Sequence, residues 1–231
     1  MKRLVTPLAV ALSLSCGGPS DQLGFDYRFS SGPQGWVAGF ADYPANNEEI
    51  FFLEADYRPL LAPLDTSRNA LFIGGTNRSD DLWMYWKGQN LLPPNTAYRV
   101  TFRVEIATKV QAGCVGVGGA PGEGVTVKAG VSLIEPDRFV DSSGDWRMNV
   151  DKGQQTNGGE DALAIGDLAN SQRCGSQLPA WELKVLSSGS ESLQFSTDGS
   201  GVVWMFVGTD SGFESRSEVY YTRFVALFER M

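Results

Sequence analysis

The sequence predicts an all-β fold, an antiparallel two-sheet β-sandwich of jelly-roll type with ~10 strands. Three observations predict it. Short runs rich in Val, Ile, Phe, Tyr and Trp recur along the chain, separated by clusters of Gly, Pro, Asn, Asp and Ser. Tyr98 to Thr108, YRVTFRVEIAT, alternates with a period of two. That alternation puts Tyr98, Val100, Phe102, Val104 and Ile106 on an inward face and Arg99, Thr101, Arg103 and Glu105 on a wet one. Helical periodicity is nearly missing. Asp161 to Asn170 is the best short helix candidate, and Gly166 inside it leaves a strand equally open.

The first residues stand apart from the fold. Met1-Lys2-Arg3 is basic, and Leu4 to Leu14 is mostly apolar but too short to span a bilayer. Ser13-Leu14-Ser15-Cys16 follows, completing a secretory signal. A Cys directly after a small residue resembles the lipobox of bacterial lipoproteins. The usual Leu three places before the Cys is replaced here by Ser13, between Leu12 and Leu14. The resemblance implies cleavage after residue 15 and lipid on Cys16. Gly17-Gly18-Pro19-Ser20 then reads as a tether. The expected organisation is a signal over 1–15, a lipidated tether over 16–23 and one β-sandwich domain over 24–231. Gly17, rather than Asp, follows the modified Cys, which in enterobacterial-type lipoproteins implies the outer membrane. An ordinary secretory signal with a free thiol at Cys16 is the alternative.

Past the tether, Phe25 to Phe29 alternates as a half-buried strand. Gln34 to Phe40 is a second candidate and Glu49 to Tyr57 a third. Leu71 to Gly75 is short and apolar. Asp81 to Lys87, DLWMYWK, points Leu82, Met84 and Trp86 one way and Trp83 and Tyr85 the other. Gly113 to Gly124 is a Gly-rich connection without phosphate-loop spacing. Val125 to Ile134, Trp146 to Val150, Trp181 to Leu186 and Leu193 to Phe195 are further strands. The closing stretch carries two dense runs, Val202 to Val207 and Val219 to Phe228, around a polar loop with Asp210, Glu214 and Arg216. It reads as a hairpin at the centre of the fold. Its first strand is apolar at both parities, so Trp204 is expected to be buried and Trp204→Ala to cost ~3–5 kcal/mol. Alanine in the loop, at Asp210 for example, is expected to cost under ~1 kcal/mol.

The layout is similar to the galactose-binding-like sandwiches that include many carbohydrate-binding modules. The features behind this are the aromatic first strand (Phe25 to Phe29), the Gly35-Trp36 pair, and a last strand with Tyr220, Tyr221 and Phe224. The resemblance implies a jelly roll and does not name a ligand.

Composition narrows the chemistry. The chain of 231 residues has a net charge of −8, and loss of Lys2 and Arg3 with the signal takes it to −10. Nucleic acid is excluded as a partner, because phosphate contacts need Lys and Arg. There is no His, which removes Ser-His-Asp and Cys-His catalysis and His-ligated zinc or copper. With Cys16 lipidated, Cys114 and Cys174 remain as an even pair in an oxidising compartment, so a disulfide is expected between them.

Carboxylate chemistry survives. A glycosidase needs two carboxylates ~5–10 Å apart, and Glu48, Glu49, Glu54, Asp56, Glu105 and Glu182 are candidates. A solvated strand face explains Glu54 and Asp56 equally well, and no diagnostic catalytic motif is present. No cofactor is expected. A calcium ion at Asp141 to Asp145 or Asp198 to Ser200 is weighed against plain turns. Trp83 and Tyr85 offer flat rings for sugar stacking if they are not core, and Asp210, Glu214 and Arg216 are the candidate loop contacts.

The resulting expectation is a lipid-anchored protein of the bacterial cell envelope with a binding or structural role, carbohydrate being the favoured ligand. Alternatives are a glycan-active hydrolase or lyase using carboxylates or Tyr/Arg, and an interaction subunit of an envelope complex. The expected partners are a membrane, through the anchor, and a glycan or another envelope protein.

Overall fold

The computed structural model describes residues 21–231. The expected signal segment and Cys16 lie outside the described residues. Among those residues the chain forms fifteen strands. They are β1 (Gln22–Arg28), β2 (Val37–Ala41), β3 (Tyr43–Pro44), β4 (Glu54–Pro59), β5 (Asn69–Thr76), β6 (Trp83–Leu91), β7 (Ala97–Thr108) and β8 (Val125–Ser132). After these come β9 (Arg138–Val140), β10 (Asp145–Met148), β11 (Ala162–Asp167), β12 (Glu182–Ser187), β13 (Leu193–Ser196), β14 (Val202–Ser211) and β15 (Arg216–Arg230).

The fold is an antiparallel β-sandwich, as the alternation predicts. One sheet has seven strands, in the order β12-β7-β15-β5-β4, with β1 beside β15 and β13 beside β7. The second has five, β11-β8-β14-β6-β2. A small third sheet, β3-β10-β9, lies outside this pair. β7 carries the predicted parity. Tyr98, Val100, Phe102, Val104 and Ile106 are buried in the main core with Leu71, Met84, Trp86, Val207 and Phe224. Trp36 packs within that core against Tyr27, Phe29 and Phe224, with ring centres 4.9–5.4 Å apart.

Two expectations need correction, and one open alternative is resolved. The closing stretch is not a hairpin. β14 is the middle strand of the five-stranded sheet, whereas β15 belongs to the seven-stranded one, so residues 212–215 carry the chain from one layer to the other. Two dense apolar runs were each satisfied by different neighbours, and the short connection is compatible with either arrangement. Glu49 to Tyr57 is not one strand. Glu48–Phe51 forms a 3-10 turn, and Phe52 takes φ 46, which breaks extension before β4. The helix alternative over Asp161 to Asn170 is replaced by β11. Its pairing with β8 slips between Ala164 and Gly166, where Gly166 has φ 146. A bulge at a glycine breaks the period-two pattern that would have identified the strand.

Cys114 and Cys174 are bonded, with Cα atoms 5.1 Å apart. The bridge ties the Gly-rich connection after β7 to the loop before β12. Main-chain bonds reinforce it: Ala112 N–H donates to Gln172 O and Cys174 N–H to Ala112 O.

Candidate functional site

The outer face of the five-stranded sheet is where the candidate residues meet. Register puts Trp83 opposite Asp210, Tyr85 opposite Gly208, Lys87 opposite Phe206 and Gln89 opposite Trp204. Alternation places all of these outward-facing positions on the face turned away from the main core. One half of that face is covered and the other is open.

On the covered half, Trp83, Tyr85, Phe206, Ala41 and Ala162 form a second apolar cluster, closed by Val150 and Met148. Trp83 and Tyr85 point away from Met84 and Trp86, as the sequence predicts, but they are buried. The expected exposed sugar platform at these two residues is therefore covered by the chain itself. The cover comes from β10 and the segment after it. Asp42 makes this possible: its φ of 63 turns the chain out of β2, so that β3 pairs with β10 instead of continuing along the sheet.

Beside this cluster lies a charged one. Lys128 Nζ is 2.7 Å from Asp210 Oδ2, and Lys152 Nζ is 2.8 Å from the same oxygen. Lys152 Nζ also lies 2.8 Å from Asp42 Oδ2. Asp42, Asp81 and Asp210 carry oxygens within 4.8 Å of one another. That spacing would suit a cation, and two ammonium groups already supply the positive charge. The cluster faces a pocket of ≈ 200 Å³ lined by Asp42, Asp81, Arg147, Val150, Lys152 and their neighbours.

Three carboxyls meet two ammoniums, so one proton balances the cluster. Asp81 Oδ1 and Asp210 Oδ1 are buried without a hydrogen-bond donor while both carboxyls are ionised. A proton held between them satisfies both oxygens at once. Burial, followed by the neighbouring Asp210 carboxylate, pushes the Asp81 carboxyl up to about 8. Burial also pushes Asp210 upward, but the hydrogen bond from Asp81 with Lys152 and Lys128 overcomes it, and Asp210 stays below the ordinary range. Lys128 is lowered by burial, against the pull of Asp210. Lys152 is raised: the carboxylates of Asp210, Asp42 and Asp81 outweigh its burial.

On the open half, Trp204 is only half-buried, which corrects the expectation that it is core. β14 is central as predicted, and its inward residues Val203, Met205 and Val207 are buried. On the outward parity the cover reaches Phe206 and stops short of Trp204. Val37, Gln89 and Leu91 are exposed on the same face around it. Lys87 Nζ stands 5.8 Å from the Trp204 ring centre and is held by Pro136 O at 2.7 Å and Glu135 Oε1 at 2.9 Å.

The other predicted residues are scattered. Asp210 sits inside β14 and is fully buried, so it is not a loop contact. Glu214 is exposed in the crossing, and its N–H donates to Val117 O. Arg216 opens β15 on the other sheet, bonded to Glu54 at 2.9 Å and Glu218 at 2.7 Å. Asp141 and Asp198 each accept main-chain N–H groups of their own turns, Ser143 and Asp145 in one case, Ser200 and Gly201 in the other. Those bonds are what plain Asx turns make. Glu48, Glu54, Glu105 and Glu182 are each engaged by neighbouring side chains. Sequence reasoning missed Asp42, Asp81, Lys128 and Lys152. Lys128 was the available signal, a single charge in the apolar run VTVKAGV, which needs a buried partner if that strand is central.

No protein-family profile matches the chain, and no curated protein matches it. Solved β-sandwiches do. TmCBM61 in complex with β-1,4-galactotriose is 12% identical, with TM-score 0.37, over 87% of this chain and 94% of that one. The CBM22-1 xylan-binding domain from Paenibacillus barcinonensis is 11% identical, with TM-score 0.38, over 88% and 92%. The K3 cleaved adhesin domain of Lys-gingipain from Porphyromonas gingivalis is 10% identical, with TM-score 0.37, over 89% and 98%. At such identities and TM-scores no site residue is carried across to this chain.

Proposed function

We propose that this protein is a glycan-binding β-sandwich of the bacterial cell envelope, held there by lipid on Cys16, and that it binds through the open half of the five-stranded sheet. The observation that carries the binding reading is Trp204. It is a half-exposed indole on a sheet face, with the Lys87 ammonium beside it and Gln89 and Leu91 on the adjacent strand. A sugar ring presents an apolar C–H face to an indole and hydroxyls to flanking polar groups, which is how mixed aromatic and polar surfaces orient small ligands. The formal charge of −8 makes neutral glycans better ligands than polyanionic ones.

A glycan array probed with residues 21–231 tests the reading. Binding of at least one neutral oligosaccharide, reduced tenfold or more by Trp204→Ala, is the expected result. An array without hits, or hits that Trp204→Ala leaves unchanged, would count against it. An envelope-complex subunit would instead show no array hits and a protein partner recovered by cross-linking at Trp204.

A further inference from the structure

The covered half of the sheet face holds an arrangement that the binding reading does not use. Trp83 and Tyr85 lie side by side, ring centres 6.0 Å apart and planes 17° apart. Lys152 places its ammonium over the Trp83 ring, 5.2 Å from the centre. Met148 and Val150 close the same cluster. The segment that carries these residues is attached to the sheet chiefly by side chains. Its main-chain bonds stay local: Asn149 N–H donates to Asp137 O, Lys152 N–H to Val150 O, and Asp151 O accepts from Asp161. The links to the five-stranded sheet are the apolar packing of Met148 and Val150 and the charged cluster. Lys152 reaches Asp210 and Asp42, and Lys128 Nζ returns a bond to Lys152 O at 3.1 Å.

We propose that residues 148–153 form a proton-operated latch over Trp83, closed while Asp81 holds a proton against Asp210 and opened when that proton is lost. The charges around Asp81 come from every packed element. Asp210 comes from β14, Lys128 from β8, Asp42 from the β2–β3 link and Lys152 from the latch, with Arg147 of β10 3.5 Å from Asp42. With the proton present, Asp42, Asp81 and Asp210 with the two ammoniums sum to zero, while Arg147 is balanced separately by Asp141 and Asp145. Without it, a third buried negative charge faces two others, and Asp210 Oδ1 loses its donor. Opening the segment returns Asp81 to water, where a carboxyl ionises in the ordinary range.

Linkage then gives the direction. The closed form binds a proton that the open form releases, so the closed form loses ground as pH rises from about 4 towards about 8 and gains no further loss above that.

Hydrogen exchange of residues 21–231 at pH 5 and pH 9, normalised for intrinsic exchange, tests the latch without any glycan. Protection across 149–153 should fall at least tenfold between the two, while protection across β7 stays constant. Asp81→Asn, which cannot ionise, should keep its protection at pH 9. Unchanged protection in the wild type, or an equal loss in Asp81→Asn, overturns the proposal. If Asp81→Asn does not fold, Lys152→Met takes its place: it should lose protection across 149–153 already at pH 5, and full protection there overturns the proposal. Failure here leaves the array result untouched, and an empty array leaves the latch untouched.

Discussion

Lys128 and Asp210 are both fully buried on neighbouring strands, with the ammonium nitrogen 2.7 Å from a carboxylate oxygen. Two opposite charges taken out of water are held by each other, and Lys152 joins them from the latch. Removing one member leaves the rest uncompensated. Asp210→Ala should therefore cost about 3–5 kcal/mol, the cost of breaking a buried ion pair from one side. This reverses the small effect expected for a loop residue. Urea denaturation beside Glu214→Ala, which should lose under ~1 kcal/mol, measures the difference.

Trp204 and Phe206 share a parity on β14 but not an environment, Phe206 being fully buried. Phe206→Ala should cost about 3–5 kcal/mol. Trp204→Ala should cost about 1–2 kcal/mol, since part of its surface is already in water. Equal losses at the two sites would place Trp204 in the core after all.

The two strands explain what was legible in the sequence. β7 has one wet face, so its alternation is visible and the inward residues follow from it. β14 is apolar at both parities, which identifies a central strand but cannot say how far the cover on its outer side extends. The cover itself comes from β10, a strand of four residues, and the irregular segment after it, both too short for any periodicity. The charged cluster gathers residues from five separate places, 42, 81, 128, 152 and 210, joined by register rather than by spacing. Cys114 and Cys174 were legible because only two cysteines remain after Cys16, and pairing needs no register to be inferred.

The disulfide closes a span of 60 residues. On the chain-entropy account its removal should cost ~4 kcal/mol. The variant with both Cys114→Ser and Cys174→Ser should unfold at lower urea by that amount. Thiol labelling of the folded domain without reductant should modify neither Cys114 nor Cys174. Ready labelling of either would contradict the bridge.

Lipid on Cys16 predicts a change of compartment. A single acyl chain holds a protein only marginally, and several chains anchor it stably. Cys16→Ser should move the full-length protein from the membrane fraction to the soluble fraction. Intact-mass analysis of the wild type should show the added acyl mass. A membrane-bound Cys16→Ser protein, with no acyl mass on the wild type, would end the anchoring proposal.

Asp81 gives the pH dependence its sign. Its carboxyl titrates near the ordinary 3.8 when the chain is unfolded and is pushed up to about 8 in the fold. The folded protein therefore binds a proton that the unfolded chain has lost, throughout the interval between those values. Its contribution to stability is complete below about pH 4, declines across the interval, and is gone above about pH 8. Carboxyls held low by partners act in the opposite sense and in a lower window. Glu218, lowered by Lys109 and Arg216 against its burial, and Asp26, lowered by Arg223, lose their contribution only as pH falls below about 4. The two effects therefore separate on the pH axis. Unfolding free energies of wild type and Asp81→Asn, measured every half unit from pH 5 to pH 9, should diverge. The wild type should fall relative to Asp81→Asn up to about pH 8, and the gap should then hold level. A constant gap across the whole range would mean that Asp81 is already ionised in the fold, and that the proton between Asp81 and Asp210 is not there.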